Sequence, residues 1–162
     1  MIDRDGPLTV ERLRQVLDYD PETGAFTWKG NGRNAGGLSA RGYILICIDR
    51  RRYYAHRLAW LHVKGEWPAD FLDHEDLDKA NNRFANLRSC SKSQNHANRR
   101  RLSNNTRRFK GVCWNGQASK WKAAITINHK HHHLGHFDCP VAAHLAYSVA
   151  ADKTFGEFGR YS

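Results

Sequence analysis

The chain has 162 residues, which suits one medium domain or two small ones and excludes a single large core. Twenty-six Lys and Arg against sixteen Asp and Glu give a net charge of +10, a balance that favours a polyanionic partner, nucleic acid first, through long-range attraction and counterion release. Neither a signal-peptide apolar core nor an apolar run near the length of a spanning helix is found, so no membrane partner is expected and the chain reads as intracellular.

In chain order, LTVERLRQVL places Leu13, Val16 and Leu17 on one helical face. Asp20, Pro21 and Gly24 punctuate that pattern, and Ala25 to Trp28 reads as a short strand. After the glycine-rich NGRNAGGLSARG, the segment GYILICIDRRRYYAHR is β-branched and aromatic enough for two strands around a turn at Asp49 to Arg51. A second helix from Tyr54 to Val63 carries Leu58, Trp60 and Leu61 at helical spacing and stops near Gly65 and Pro68; Trp60 and Trp67 read as core. His56 on that helix is either a packed histidine or a phosphate contact. Ser91 and Gln94 stand in the S-x-x-Q relation of a capping box, which predicts a helix from about residue 91 with Asn95 in its first turns. Residues 98–108, NRRRLSNNTRR, hold one apolar residue, Leu102, and read as a basic linker between domains at 1–97 and 109–162.

From Phe109 the pattern predicts three short strands and a helix. In KWKAAITIN, Trp121, Ala123, Ile125 and Ile127 point to a core while Lys122, Ala124, Thr126 and Asn128 point to a free face. A turn near His129 and Lys130 leads into HHHLGHF. Pro140 then starts a helix whose Ala142, Leu145, Ala146 and Val149 form the stripe expected to cover the Trp121 face. The cysteines at 47, 90, 113 and 139 have no paired spacing and read as reduced thiols, and the histidines of HKHHHLGH lack a second ligand group at zinc spacing.

The segment LDHEDLDKANNRFANLRSCSKSQN, residues 72–95, is too polar for packing alone to account for it. Hydrolysis of a phosphodiester needs an activated water and a hard cation, and this stretch can supply both demands. His74 titrates near neutrality and can act as general base, while the Asp73 carboxylate and the Asn95 amide oxygen suit Mg²⁺ or Mn²⁺. Asp76 and Asp78 are further carboxylates of the intervening loop. Taken with AHRLAW at 55–60 and SQN at 93–95, the stretch resembles the HNH nuclease family, especially the homing endonucleases of phage and intron origin. The resemblance implies an α+β fold with a ββα-metal (His-Me finger) core holding one divalent ion per active site. It implies Asp73 as metal ligand, His74 as base, Asn86 as the asparagine that braces the loop at the catalytic centre, and Asn95 as second ligand, with His96 the alternative.

The tail, with KGV at 110–112, KW at 120–121, LGHFD at 134–138 and an Ala-rich helix, resembles the plant ethylene-response-factor (APETALA) DNA-binding domain. That likeness implies a small three-stranded antiparallel sheet packed on one helix, with Lys110, Trp114, Lys122, Thr126, His131 and His133 on the face laid in the major groove of double-stranded DNA. Cys113 and Ala124 depart from the plant pattern, so affinity is expected from backbone contacts, including Arg99, Arg100, Arg107 and Arg108. The expected activity is metal-dependent DNA cleavage of homing type to 5′-phosphate and 3′-hydroxyl ends. One motif per chain nicks, and cutting both strands needs a homodimer on DNA or two turnovers. The rival expectations are a catalytically inactive DNA-binding regulator on the same scaffold, and an RNA-directed protein.

Overall fold

The structure is a computed structural model and describes residues 2–3, 7–98 and 109–159. The chain divides into two compact units, residues 1–90 and 91–162.

In the first unit, helix α1 (Val10–Val16) starts at Thr9, whose Oγ1 accepts the Arg12 N–H at 3.2 Å. Strand β1 (Ile2–Asp3) precedes it, and strand β2 (Leu17–Tyr19) follows without a break and pairs antiparallel with β3 (Phe26–Trp28). Leu17, expected on the helical face, is buried as the first residue of β2. Strands β4 (Gly37–Leu38), β5 (Ile44–Ile48) and β6 (Arg51–Tyr54) complete a sheet of order β1-β6-β5-β4. Asp49 and Arg50 both take positive φ, +48° and +64°, the two-residue turn whose twist matches an antiparallel pair. Helix α2 (Ala55–Lys64) follows at once and is closed by Gly65 at φ +80°, whose N–H reaches the Leu61 carbonyl at 2.9 Å. Leu13, Leu17, Ile46, Ile48, Leu58 and Leu61 are fully buried and form the centre of this core.

Strands β7 (Phe71–His74) and β8 (Leu87–Cys90) then pair antiparallel, with His74 opposite Leu87 and Asp73 opposite Arg88. Arg57 of α2 fixes the entry to this hairpin: its guanidinium, drawn inside, donates to the carbonyls of Pro68 at 3.2 Å and Asp70 at 3.3 Å.

The second unit opens with helix α3 (Lys92–Ala97). Both capping-box bonds are made, Gln94 N–H to Ser91 Oγ at 3.2 Å and Ser91 N–H to Gln94 Oε1 at 2.8 Å. The sequence reading ends the first domain at residue 97, whereas α3 falls in this unit. Here Lys110 Nζ donates to the Ala97 carbonyl at 2.5 Å and Asn128 N–H to Ser93 Oγ at 3.4 Å. Strands β9 (Val112–Asn115), β10 (Lys120–Ile127) and β11 (Lys130–Phe137) form an antiparallel sheet of order β11-β10-β9, with α4 (Pro140–Phe155) packed on it.

The fold is therefore α+β with a carboxy-terminal three-stranded antiparallel sheet on one helix, as the sequence predicts. The face that α4 buries is not the predicted one. Ala143, Tyr147, Ala151 and Phe155 are buried, while Leu145 and Val149 are 65% and 60% exposed. An Ala-rich helix apolar on all sides carries little rotational signal. The choice is made by fit, since a Cβ at Gly111 would fall 2.0 Å from the Tyr147 ring; only glycine there lets that ring settle against the sheet. Among the described residues no helix is long and apolar enough to cross a membrane.

Candidate active site

The β7–β8 hairpin is joined by residues 75–86, a polar loop with several hydrogen bonds of its own. Asn86 is its hub. Its Oδ1 accepts the Asp76 N–H at 3.1 Å, its Nδ2 donates to Asp76 Oδ1 at 3.0 Å and to the Asn81 carbonyl at 2.9 Å, and its own carbonyl accepts the Glu75 N–H at 3.0 Å. Asp76 also accepts from Asn81 Nδ2 at 2.6 Å and from the Asp78 N–H at 2.8 Å. These bonds hold the Asp76 carboxyl below its ordinary value against the opposing effect of burial. Leu77 sits at φ +67° with its N–H on the His74 carbonyl at 3.1 Å, so the chain reverses immediately after His74.

Neighbouring strand residues point to opposite faces, so Asp73 shares a face with Arg88 and His74 with Leu87. Asp73 is buried, and Arg88 Nη2 lies 3.2 Å from its Oδ2. His74 is buried against aromatic rings: His56 lies edge-on at 5.0 Å between centroids and Tyr43 at 6.1 Å. Lys79 Nζ stands 4.9 Å over the Tyr43 ring. Burial lowers the His74 pKa; the Asn82 carboxamide and the carboxylates of Asp76, Asp73 and Asp78 oppose that shift. A lowered pKa favours the neutral imidazole, the form a general base requires. His56 is deeply buried, and burial, with the neighbouring His74 and Arg57 charges, lowers its pKa to about 3. Its Nδ1 has no hydrogen-bond partner among the described residues, which fits a neutral packed histidine better than a phosphate contact.

Asn95 and its alternative His96 lie on α3 in the second unit, Asn95 half-buried with its N–H on the Ser91 carbonyl at 3.0 Å and His96 exposed. The donor set named from the sequence, a buried carboxylate and an amide oxygen, matches a hard divalent cation in kind, and Arg88 compensates the carboxylate's charge. Among the described residues no group of three or more His, Cys, Asp and Glu is arranged to hold a metal.

The second unit sorts the predicted DNA contacts by strand register. Lys122 pairs with His136, Ala124 with His133 and Thr126 with His131, so Lys122, Thr126, His131 and His133 share one face. Thr126 Oγ1 and His131 Nδ1 are 2.9 Å apart on it. Trp114 pairs with Trp121, rings 5.3 Å apart, and so lies on the opposite face. Lys110 caps the end of α3 and lines a cleft of about 490 Å³ with Lys92, His96, Thr126 and His129. Arg99, Arg100, Arg107 and Arg108 lie outside the described residues.

Arg88 and Asn82 escape a reading of the sequence. Arg88 matters only through cross-strand pairing with a residue fifteen positions away, and Asn82 only because its side chain turns inward from an Asn-rich loop. The signal present for Asn82 is its place in NNRFAN, where any of three asparagines could carry the role.

Residues 53–97, which span α2, the hairpin, its loop and α3, match the family model described as HNH endonuclease. The match and the names of relatives support the HNH endonuclease family for this segment. The chain is 31% identical over 123 residues, 75% of its length, to an uncharacterized HNH endonuclease of Acanthamoeba polyphaga mimivirus, and spans 63% of that relative's length. It is 25% identical over 107 residues, 65% of its length and 88% of the relative's, to Protein 3.8 of Escherichia phage T7. Among solved structures it is similar to that titled DNA binding and cleavage by the HNH homing endonuclease I-HmuI, with TM-score 0.45 and 18% identity over 86% of this chain and 84% of that one.

Proposed function

We propose that the chain is a metal-dependent DNA endonuclease of homing type that hydrolyses phosphodiester bonds of double-stranded DNA inside the cell. The observation that carries the reading is His74: a buried imidazole at the end of β7, next in sequence to Asp73 and followed by a loop tied together through Asn86. His74 would take the proton from the attacking water, leaving a 5′-phosphate and a 3′-hydroxyl. Asp73 and Asn95 would hold one Mg²⁺ or Mn²⁺. Bound there, the cation would neutralise charge on the scissile phosphate and the departing 3′ oxygen. Asn86 would keep the loop, and with it the end of β7, in one conformation. The carboxy-terminal sheet would bind DNA through the face bearing Lys122, Thr126, His131 and His133, with Lys110, the 99–108 arginines and the wider positive charge adding sequence-independent attraction. Trp114, on the opposite face beside Trp121, is left out of that contact. With one motif per chain each copy nicks, and a homodimer would cut both strands.

A second reading has one observation in its favour. The Asp73 carboxylate is already paired with Arg88, which suits a regulator that binds DNA on an inactive nuclease scaffold. Supercoiled plasmid carrying host or phage DNA, incubated with Mg²⁺, Mn²⁺ or EDTA, separates the two. The nuclease converts it to the open circle with metal and not with EDTA; binding without conversion under either metal favours the regulator.

A further inference from the structure

Asn82 is buried at 3% exposure in a loop where most neighbours face water. Its Nδ2 donates to the Ala80 carbonyl at 3.0 Å, which fixes the carboxamide so that Oδ1 is turned to His74 Nε2 at 3.5 Å. An amide oxygen only accepts, so this contact is a hydrogen bond when His74 Nε2 carries the proton and Nδ1 the lone pair. The separation is long, as catalytic contacts often are before substrate binds.

The backbone of this loop is gripped from a distant part of the sequence. The turn closing β2–β3 is built by Asp20, whose carboxylate accepts the Glu22 N–H at 2.9 Å and the Thr23 hydroxyl at 2.7 Å. From it the Pro21 carbonyl accepts the Phe84 N–H at 3.0 Å, and the Tyr19 hydroxyl donates to the Asn82 carbonyl at 2.8 Å. Gly24, at φ +75°, lies so close that a Cβ would fall 2.5 Å from Arg83 N and Asn82 C. Three contacts from residues 19–24 therefore converge on residues 82–84.

We infer that Asn82 is a positioning residue for His74, holding its ring in the tautomer with Nδ1 as the proton-accepting nitrogen, and that the amino-terminal turn at 19–24 holds Asn82 in place. The inference rests on the reading of His74 as the base. It gives the amino-terminal hairpin a part in the chemistry, because removing its grip would free the Asn82 carboxamide and loosen the ring.

The test uses the full chain in two steps. On the DNA-free protein, proton NMR with ¹⁵N-labelled histidine reads the His74 Nε2–H; it is expected as a slowly exchanging signal in the wild type, lost in Asn82→Ala and weakened in Tyr19→Phe, which keeps the ring's volume and the fold. In cleavage assays, kcat is expected to fall about ten- to a hundred-fold in Asn82→Ala, and several-fold in Tyr19→Phe, with KM unchanged. An Nε2–H signal unaffected by Asn82→Ala, or variants that raise KM while leaving kcat intact, would overturn the assignment. Because the ring signal is read without substrate, a wild type that shows the Asn82-dependent signal and does not cut would count against the nuclease reading alone.

Discussion

Asp73 is a carboxylate taken out of water beside the cation that compensates it, and its worth depends on which cation that is. Arg88 holds it at 3.2 Å, and both side chains are largely buried. Removing one partner of such a pair leaves a charge with too little solvation, so Arg88→Ala is expected to cost roughly 3 kcal/mol of stability. If Asp73 is also a metal ligand, Mn²⁺ should raise the melting temperature of Arg88→Ala more than that of the wild type; equal shifts would count against Asp73 as a ligand. His56 sets a second expectation. Its imidazole titrates near 6.5 when unfolded and near 3 when folded, so between those values the unfolded chain holds the extra proton. Stability is therefore fully present above pH 6.5 and falls by roughly 1 kcal/mol per pH unit below it. Urea titrations from pH 7.5 to 4.5 check this, and His56→Phe should flatten the slope. At this scale the sequence offers as candidates the residues whose chemistry is intrinsic, Asp73 and His74, and the family resemblance adds Asn86, which the structure places at the centre of the loop's hydrogen bonds. It hides Arg88 and Asn82, whose parts exist only once the hairpin and the amino-terminal turn have met.

Among the elements, legibility follows local signal. The Ser91 capping box, the turn after Ile48 and the Gly65 stop are each written within a few residues; the first and last are made as read, and the turn is one residue shorter than the Asp49 to Arg51 expected, because Arg51 already pairs with Ile48. Helix α4 is where local signal fails: alanines and valines on every side left its rotation to be decided by the Gly111–Tyr147 contact from another element. The consequence is measurable. Leu145→Lys and Val149→Lys should change stability by no more than about 0.5 kcal/mol, while Tyr147→Ala should cost about 3 kcal/mol, read as shifts in the urea midpoint. A large loss from Leu145→Lys would return that residue to the core and contradict the rotation seen here.

For the whole molecule, a charge of +10 and two compact units give a reading in which one unit carries the base and the other a basic sheet face. Composition points to a polyanion, but which sheet residues share a face needed the strand register, with its shift between Ala123 and Ala124. Lys122→Ala should weaken binding to duplex DNA uniformly across sequences and reduce the slope of log K against log salt by about 1. Binding that keeps its salt slope would remove that face from the interface. The central claim, that His74 is the base of a DNA-cutting site, is tested most directly by comparing wild type and His74→Ala on one DNA substrate, with cleavage rate and dissociation constant measured side by side in Mn²⁺. The account predicts a rate at least about a hundred-fold lower with an unchanged dissociation constant. A variant that cuts as fast as the wild type, or loses binding together with cleavage, would contradict it.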